Sequence, residues 1–309
     1  MSASDHTNND TDISLLEGPD IESMLNSTAP LNVDILLLGE TGTGKDTLAR
    51  RIHRLSGRRG NFVAVNCAAI PETLAESQLF GVNSGAYTGA VQSRAGFIEA
   101  AHLGTLYLDE IDSMPLSLQT KLLRALESRG VERLGSTRFI PVDMRVIASA
   151  QQSLYEMVER GAFRRDLYFR LSVVNIQLPS LRECKDRIIP LFLTMIRQEA
   201  GSFKCPSPQP PNSLLQQLLC HPWPGNVREL SSTAKRFVLG LPPLSVRGKD
   251  HEVSEAGLKE RLQRIEKALI EESLRQHNGN VDLAATDLRI AKRTFYYRMK
   301  QLGVGCTDA

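Results

Sequence analysis

Val33-Asp-Ile-Leu-Leu-Leu38 runs straight into Gly39-Glu40-Thr41-Gly42-Thr43-Gly44-Lys45, and a helical pattern then covers about Asp46 to Leu55. An apolar strand, a glycine-rich turn and a helix start, in that order, leave few folds open to the chain. The glycines let backbone N–H groups turn toward an anion, and the helix N-terminus adds positive partial charge. Lys45 supplies a cation for β- and γ-phosphates. Asp46 stands where such loops usually place a Ser or Thr on magnesium, with Thr47 as an alternative hydroxyl that faces differently on the helix. Gly39 to Thr47 are therefore candidate nucleotide contacts.

Further strand candidates follow at Phe62-Val-Ala-Val65, Thr105-Leu-Tyr-Leu108, Val142-Asp-Met-Arg-Val-Ile-Ala148 and Val173-Val-Asn-Ile-Gln-Leu178. Most are nearly continuous apolar runs, as expected of strands covered on both faces in a parallel sheet. One intervening helix starts near Pro115, carries Leu118, Leu122 and Leu126, and finds a C-terminal cap in Gly130. Residues 21–181 thus read as a doubly wound α/β core. Residues 182–239 are helical, interrupted by a Pro-rich loop at 205–211. A linker at 240–255 and a terminal helical unit at 256–309 complete the chain, and residues 1–20, polar and acidic, read as a disordered lead.

Leu106-Tyr-Leu-Asp109-Glu110 puts an acid pair just past a buried strand. Asp109 can orient magnesium, directly or through water, and Glu110 can polarise an attacking water. Between the second and third strands lies Gly85-Ala86-Tyr87-Thr88-Gly89-Ala90. Glycines at both ends let the tip fold back and present Tyr87 and Thr88 outward, although a generic surface loop has that composition too.

Taken with the phosphate loop and the acid pair, Gly85 to Ala90 resembles the sigma-54-contacting loop of bacterial enhancer-binding transcription activators. Glu76-Ser-Gln-Leu-Phe-Gly81 and Gly96-Phe-Ile-Glu-Ala100 resemble the same family, and the likeness runs from about Ile21 to Val304. It implies an AAA+ P-loop ATPase core with a helical lid and a C-terminal Fis-type helix-turn-helix, acting with ATP and Mg2+. It implies that Asn66 pairs with Glu110 and releases it when nucleotide is sensed, and that Arg228 reaches the nucleotide in cis. Arg164 and Arg170, in preference to Arg165, resemble the family's fingers, which complete a neighbour's site and imply a closed hexameric ring, homo- or hetero-oligomeric. Ordinary pairing with Asp166 is the other reading of those arginines.

The departures from the family pattern are specific. Tyr87 replaces a Phe, Asn83 replaces a Glu, and Ser149-Ala150-Gln151 stands where a Thr-Asn sensor pair is usual. The sensing side chain is Ser149 or Gln151. Because the phosphate loop begins as early as Gly39, no receiver domain is expected, which leaves regulation to a protein acting in trans. The short form and Lys45-Asp46-Thr47 resemble the Hrp-type activators of type III secretion genes.

Near the C-terminus, Leu262, Ile265, Leu269 and Leu274 give one helix an apolar stripe, and Asn280 is placed to cap the next helix. In the final helix, Phe295, Met299 and Leu302 share a core face. Lys292, Arg293, Thr294, Tyr297 and Arg298 are left to reach enhancer DNA in the major groove. Residues 289–300 hold five basic side chains and no acid, so the cationic character is local against a net charge of only +2. The five cysteines are scattered without a C-x-x-C pair, which suits a reducing cytoplasm. No apolar run is long enough to span a membrane. Two other functions stay open: a DNA-binding regulator with weak ATPase, and a ring that remodels a protein other than sigma-54 polymerase.

Overall fold

The computed structural model describes residues 19–86, 92–244 and 280–302, together with scattered positions between 266 and 277. It divides into two compact units, residues 1–244 and residues 245–309. The first begins with α1 (Pro19–Thr28), β1 (Ile35–Leu38), α2 (Lys45–Leu55), β2 (Phe62–Asn66), α3 (Glu72–Phe80), α4 (Phe97–Ala100) and β3 (Thr105–Asp109). It continues with α5 (Leu116–Ser128), β4 (Gly130–Glu132), β5 (Phe139–Pro141), β6 (Arg145–Ala150), α6 (Leu154–Glu159), α7 (Arg165–Leu171) and β7 (Val174–Gln177). Helices α8 (Lys185–Ser202), α9 (Asn212–Cys220) and α10 (Asn226–Val238) follow.

Strands β2-β3-β6-β1-β7, in that order, form a five-stranded parallel sheet. Both faces are covered, which is why β6 is buried at every position and β1 at all but its last. One core cluster packs α3, α5 and α7 against one face, and a second packs α1 and α2 against the other. All the strands point their carboxyl ends the same way, so Leu38, Asn66, Asp109 and Ala150 end along one edge. Ligands of open α/β sheets bind beyond that edge, where the strand order reverses.

Three of the departures from the sequence boundaries have a visible physical cause. The run beginning at Val33 enters the sheet only at Ile35, because side chains hold the preceding residues. Arg145 Nε donates to Val33 O at 2.9 Å, and Asp34 Oδ1 accepts Val146 N–H at 3.0 Å. The run from Val142 joins the ladder only at Arg145, since Val142 N–H is bonded to Arg129 O and Asp143 O accepts Leu103 N–H. Gly130 is not the cap of α5. Arg129 takes the left-handed cap at φ 54°, and Gly130 opens β4, where a Cβ would meet the Phe139 ring at 2.3 Å. The short β4–β5 pair was not foreseen, because three-residue strands carry too little alternation to be seen.

In the second unit, α11 (Val281–Asp287) is capped as expected. The Asn280 side chain accepts the N–H groups of Asp282 at 3.0 Å and Leu283 at 3.3 Å. Helix α12 (Lys292–Leu302) buries Phe295 and Met299, with Leu302 packed beside them. The apolar stripe before α11 needs one correction: Ile270 and Leu274 are buried, while Leu269 is 54% exposed. Leu262 and Ile265 lie outside the described residues.

Candidate active site

The phosphate loop sits at the end of β1 as expected, and two of its glycines are required by geometry. Gly44 caps α2 from the left-handed region at φ 100°, and Gly42, at φ 79°, lies so close to Gly225 that a Cβ would meet its carbonyl oxygen at 2.3 Å. Lys45 Nζ donates to Gly39 O at 2.7 Å and Glu40 O at 3.0 Å, so its ammonium is held within the loop. Burial pushes this ammonium down from its ordinary value, and the carboxylates of Asp109, Asp112 and Glu110 pull it back up. Thr43 is buried, its hydroxyl donating to Glu40 O at 2.8 Å.

Around the loop lies a cleft of about 360 Å³, lined by Thr41, Gly42, Gly44, Lys45, Asp46 and Thr47, by Asp109, Glu110 and Gln151, and by Met195, Val227, Arg228 and Ser231 of α8 and α10. Asp46 turns to Arg50 one helical turn on, at 3.0 Å, in an exposed ion pair of little energetic weight. Thr47 lines the same cleft, so both oxygen donors weighed for the magnesium position are present there.

The acid pair ends β3. Tyr107 O–H donates to Asp109 Oδ1 at 2.9 Å, and the buried Ser149 hydroxyl donates to the same oxygen. Burial raises the Tyr107 phenol well above its ordinary range, so it stays a neutral donor. Glu110 has φ 54°, uncommon for a non-glycine residue and the kind of strain found at functional sites. Its N–H donates to Ser149 Oγ at 3.2 Å.

Gln151 is the join. Its Nε2 donates to Glu110 Oε1 at 2.8 Å, and its Oε1 accepts the Thr41 hydroxyl at 2.7 Å. Of the two sensor candidates, Ser149 is buried beneath the acids and Gln151 lies in the cleft, linking acid to phosphate loop. Asn66 is beside Asp109 in strand register, but its carboxamide oxygen accepts Ala68 and Ala69 N–H, each at 2.9 Å. In this structure the partner of Glu110 is therefore Gln151, not Asn66.

The arginines divide. Arg164 forms a fork on Asp166, Nε to Oδ1 at 3.0 Å and Nη2 to Oδ2 at 2.7 Å, and its side chain stays 40% exposed. Arg165 pairs with Glu159 in solvent. Arg170 lies at the amino edge of the sheet, where its Nη1 meets the nearly buried Asp34 at 2.5 Å. Both finger candidates are thus held by carboxylates of their own chain.

Contacts made by three residues of the 182–244 segment escaped the sequence reading. Asn226 is fully buried at φ 49°. Its Nδ2 donates to Glu40 Oε2 at 3.1 Å and Thr41 O at 3.0 Å, and its Oδ1 accepts Leu181 N–H at 2.8 Å. Arg182 pairs with Glu40. Arg228 N–H donates to Gly42 O at 3.3 Å. The only available signal was an Asn after Pro-Gly, a residue that tolerates the left-handed region.

Of the Gly85–Ala90 loop, Gly85 and Ala86 are described; Tyr87, Thr88, Gly89 and Ala90 lie outside the described residues. The base is fixed to the β4–β5 turn: Asn83 N–H donates to Leu134 O and Leu134 N–H to Gly81 O, each at 3.0 Å. On α12, Arg293, Thr294 and Tyr297 are exposed, as a base-reading surface requires. Lys292 pairs with Asp282 at 2.5 Å and Arg298 with Glu266 at 3.1 Å, so both belong partly to the fold of their own unit.

A parallel sheet in this order, with phosphate loop, acid pair and helical segment closing the same cleft, defines an AAA+ P-loop protein. Residues 19–177 match the sigma-54 interaction domain, residues 182–274 the AAA+ ATPase lid domain, and residues 261–302 the Fis family of bacterial regulatory proteins. The chain is 59% identical over 284 residues to the pathogenicity locus probable regulatory protein WtsA of Pantoea stewartii subsp. stewartii, covering 92% of this chain and 88% of that one. It is 55% identical over 295 residues to the pathogenicity locus probable regulatory protein HrpS of Pseudomonas syringae pv. syringae, covering 96% and 98%. The structure of NtrX from Brucella abortus in complex with ATP has a TM-score of 0.72 and 30% identity, over 96% of this chain and 69% of that one. The chain belongs to the sigma-54-dependent transcription activators with a Fis-type DNA-binding unit.

Proposed function

We propose that the protein hydrolyses ATP to remodel the closed complex of sigma-54 RNA polymerase at promoters of type III secretion genes, bound to upstream enhancer DNA through its C-terminal unit. The assignment of these genes rests on the similarity to the WtsA and HrpS regulators. One observation carries the chemistry: Lys45, Asp109, Glu110 and Gln151 meet at the carboxyl edge of one sheet, in a cleft that Arg228 also lines. The cradle fits phosphates, since its backbone turns at Gly42 and Gly44 and its ammonium is fixed on the loop.

Mg2+ in such sites is held by one or two carboxylates together with the phosphates and neutralises charge as they separate. Asp109 would hold the ion. Glu110 polarises the attacking water, restrained by Gln151 until Thr41 turns to the phosphates. Arg164 completes the site of a neighbour in a hexameric ring, and Arg228 contacts nucleotide in its own subunit. Turnover drives Gly85 to Ala90 against sigma-54, while Arg293, Thr294 and Tyr297 read the enhancer, with Lys292 and Arg298 adding charge toward phosphates. A regulatory protein acting in trans controls the ring. Residues 21–181 act as core, 182–239 as lid, 240–255 as linker and 256–309 as the DNA unit.

The test is open-complex formation on a sigma-54 promoter by purified protein, polymerase and ATP. Native protein opens the promoter, while Thr88→Ala abolishes opening and retains most ATP hydrolysis. Equal loss of both activities in Thr88→Ala would refute the coupling role of the loop.

A further inference from the structure

Helix α5 packs Leu118, Leu122, Leu123, Ala125 and Leu126 into the core, and Gln119 shares that face with no exposed surface at all. A leucine is what such a position ordinarily holds. A carboxamide there costs free energy unless every polar atom finds a partner, and Gln119 finds them on two other segments, one just before its own helix and one more than forty residues on. Its Oε1 accepts Arg164 N–H at 2.9 Å. Its Nε2 donates to Met114 O at 2.8 Å and, at longer range, to Ala162 O at 3.4 Å.

Those two segments are the ones that matter for turnover. Met114 closes the short 3-10 turn at Ile111–Ser113 that leaves Glu110 directly. Arg164 is the residue immediately before α7, and its side chain is steadied from the same helix, Nη1 donating to Thr120 Oγ1 at 3.3 Å. One buried side chain therefore ties the backbone just beyond a subunit's own acid pair to the backbone that presents its arginine.

We propose that Gln119 is the positioning residue of Arg164, setting the arginine that each subunit lends to its neighbour according to the state of its own acid pair. The proposal rests on the reading of Arg164 as a trans-acting group. Gln119 touches no nucleotide-site residue directly, so its loss should leave the subunit's own cleft intact. The defect should appear only in the neighbour. A positional error of about 1 Å at a transition-state contact costs up to about a hundredfold in rate, and about a tenfold fall in kcat is expected here with ATP binding unchanged.

The experiment uses the full chain carrying Gln119→Leu, Arg164→Ala or Lys45→Ala, alone and in equal mixtures. Lys45→Ala subunits cannot turn over but still lend a properly set Arg164. Mixed with Gln119→Leu subunits, they should restore turnover to about a quarter of native, the share of subunit contacts that pair an intact cleft with an intact arginine. A merely structural defect would not be rescued by such mixing. If the Arg164→Ala mixture is restored and the Gln119→Leu mixture is not, or if Gln119→Leu alone turns over like the native chain, the Gln119 role is overturned. If the Arg164→Ala mixture itself stays inactive, the trans reading of Arg164 is what fails. Should Gln119→Leu lose its cooperative unfolding transition, Gln119→Met, of matching length, takes its place in the same mixtures.

Discussion

Asn226 offers the sharpest quantitative test, because both small replacements should destabilise but in an order opposite to the usual helix ranking. Asn226→Ala removes the acceptor of Leu181 N–H and the donors to Glu40 and Thr41 O. A buried N–H left without a partner costs about 1–3 kcal/mol. An alanine held at the φ of 49° found here adds about 1–2 kcal/mol of left-handed strain. The Ala variant should therefore lose about 2–5 kcal/mol in all. Asn226→Gly loses the same bonds without the strain, while glycine's freer unfolded chain returns about 0.5–1 kcal/mol of disadvantage. The Gly variant should thus be the more stable of the two by about 0.5–1 kcal/mol, reversing the usual helix order of Ala above Gly. The assay is urea unfolding read by Trp223, the sole tryptophan, which is fully buried in the core of the 181–244 helices with its Nε1 donating to Leu218 O at 2.8 Å. With an m-value of about 2 kcal/mol/M, the Ala midpoint should fall by about 1–2.5 M. An Ala variant as stable as the Gly variant would refute the strain, and losses under about 1 kcal/mol in both would refute the hydrogen-bond account.

Two further outcomes follow from titrating groups. The Glu40 carboxyl is held below its ordinary value of 4.5, first by its hydrogen bond from Arg182 and then by that from Asn226. A lowered carboxyl pKa adds stability above 4.5 that is lost as pH falls through the folded value. The Trp223 transition should therefore weaken in acid below 4.5, and Glu40→Gln should flatten that acid limb while leaving the neutral range less stable; an unchanged limb would show that Glu40 does not link loop to helices. Burial pushes the Cys67 thiol up to about 12. It should resist iodoacetamide in the native protein about a thousandfold better than an ordinary thiol, while exposed Cys220 is labelled, as peptide mass mapping after a timed quench would show.

The sheet and the phosphate loop were legible because their signals are local. A buried parallel strand is a continuous apolar run, and Gly39 to Lys45 needs no distant residue to be seen. Asp109 and Glu110 were legible for the same reason, as acids placed directly after such a run. What escaped was whatever depends on the meeting of separate segments. Nothing in the spacing of Arg170 and Asp34 announces that they pair across the amino edge of the sheet. Gln151 was readable as a sensor candidate, yet its bridge from Thr41 to Glu110 joins loops that lie together only because β6 runs between β1 and β3. Gln119 falls on a helical core stripe, and periodicity alone counts it as an imperfect apolar position. Ile270 replaced Leu269 on the buried face because a one-residue shift turns a helical stripe by about 100°.

Three joints of this molecule share one chemistry. Asn226, Gln119 and Gln151 are carboxamides, each offering both a donor and an acceptor from a neutral group. A carboxylate or an ammonium in the fully buried positions of Asn226 and Gln119 would carry a desolvation penalty that its partners could not readily offset, and a hydroxyl is too short to span two segments. In the cleft the groups are charged instead, with Lys45 in the field of Asp109, Asp112 and Glu110. Two of the joints converge on one residue. Thr41 donates its hydroxyl to Gln151 and offers its carbonyl to Asn226. A displacement of Thr41 as the loop closes on phosphates therefore pulls in two directions at once, on Glu110 through Gln151 and on the helices beyond Leu181 through Asn226. Asn226→Ala should then disturb the hydrolytic step as well as stability, because it removes one of the two restraints that set where Thr41 stands.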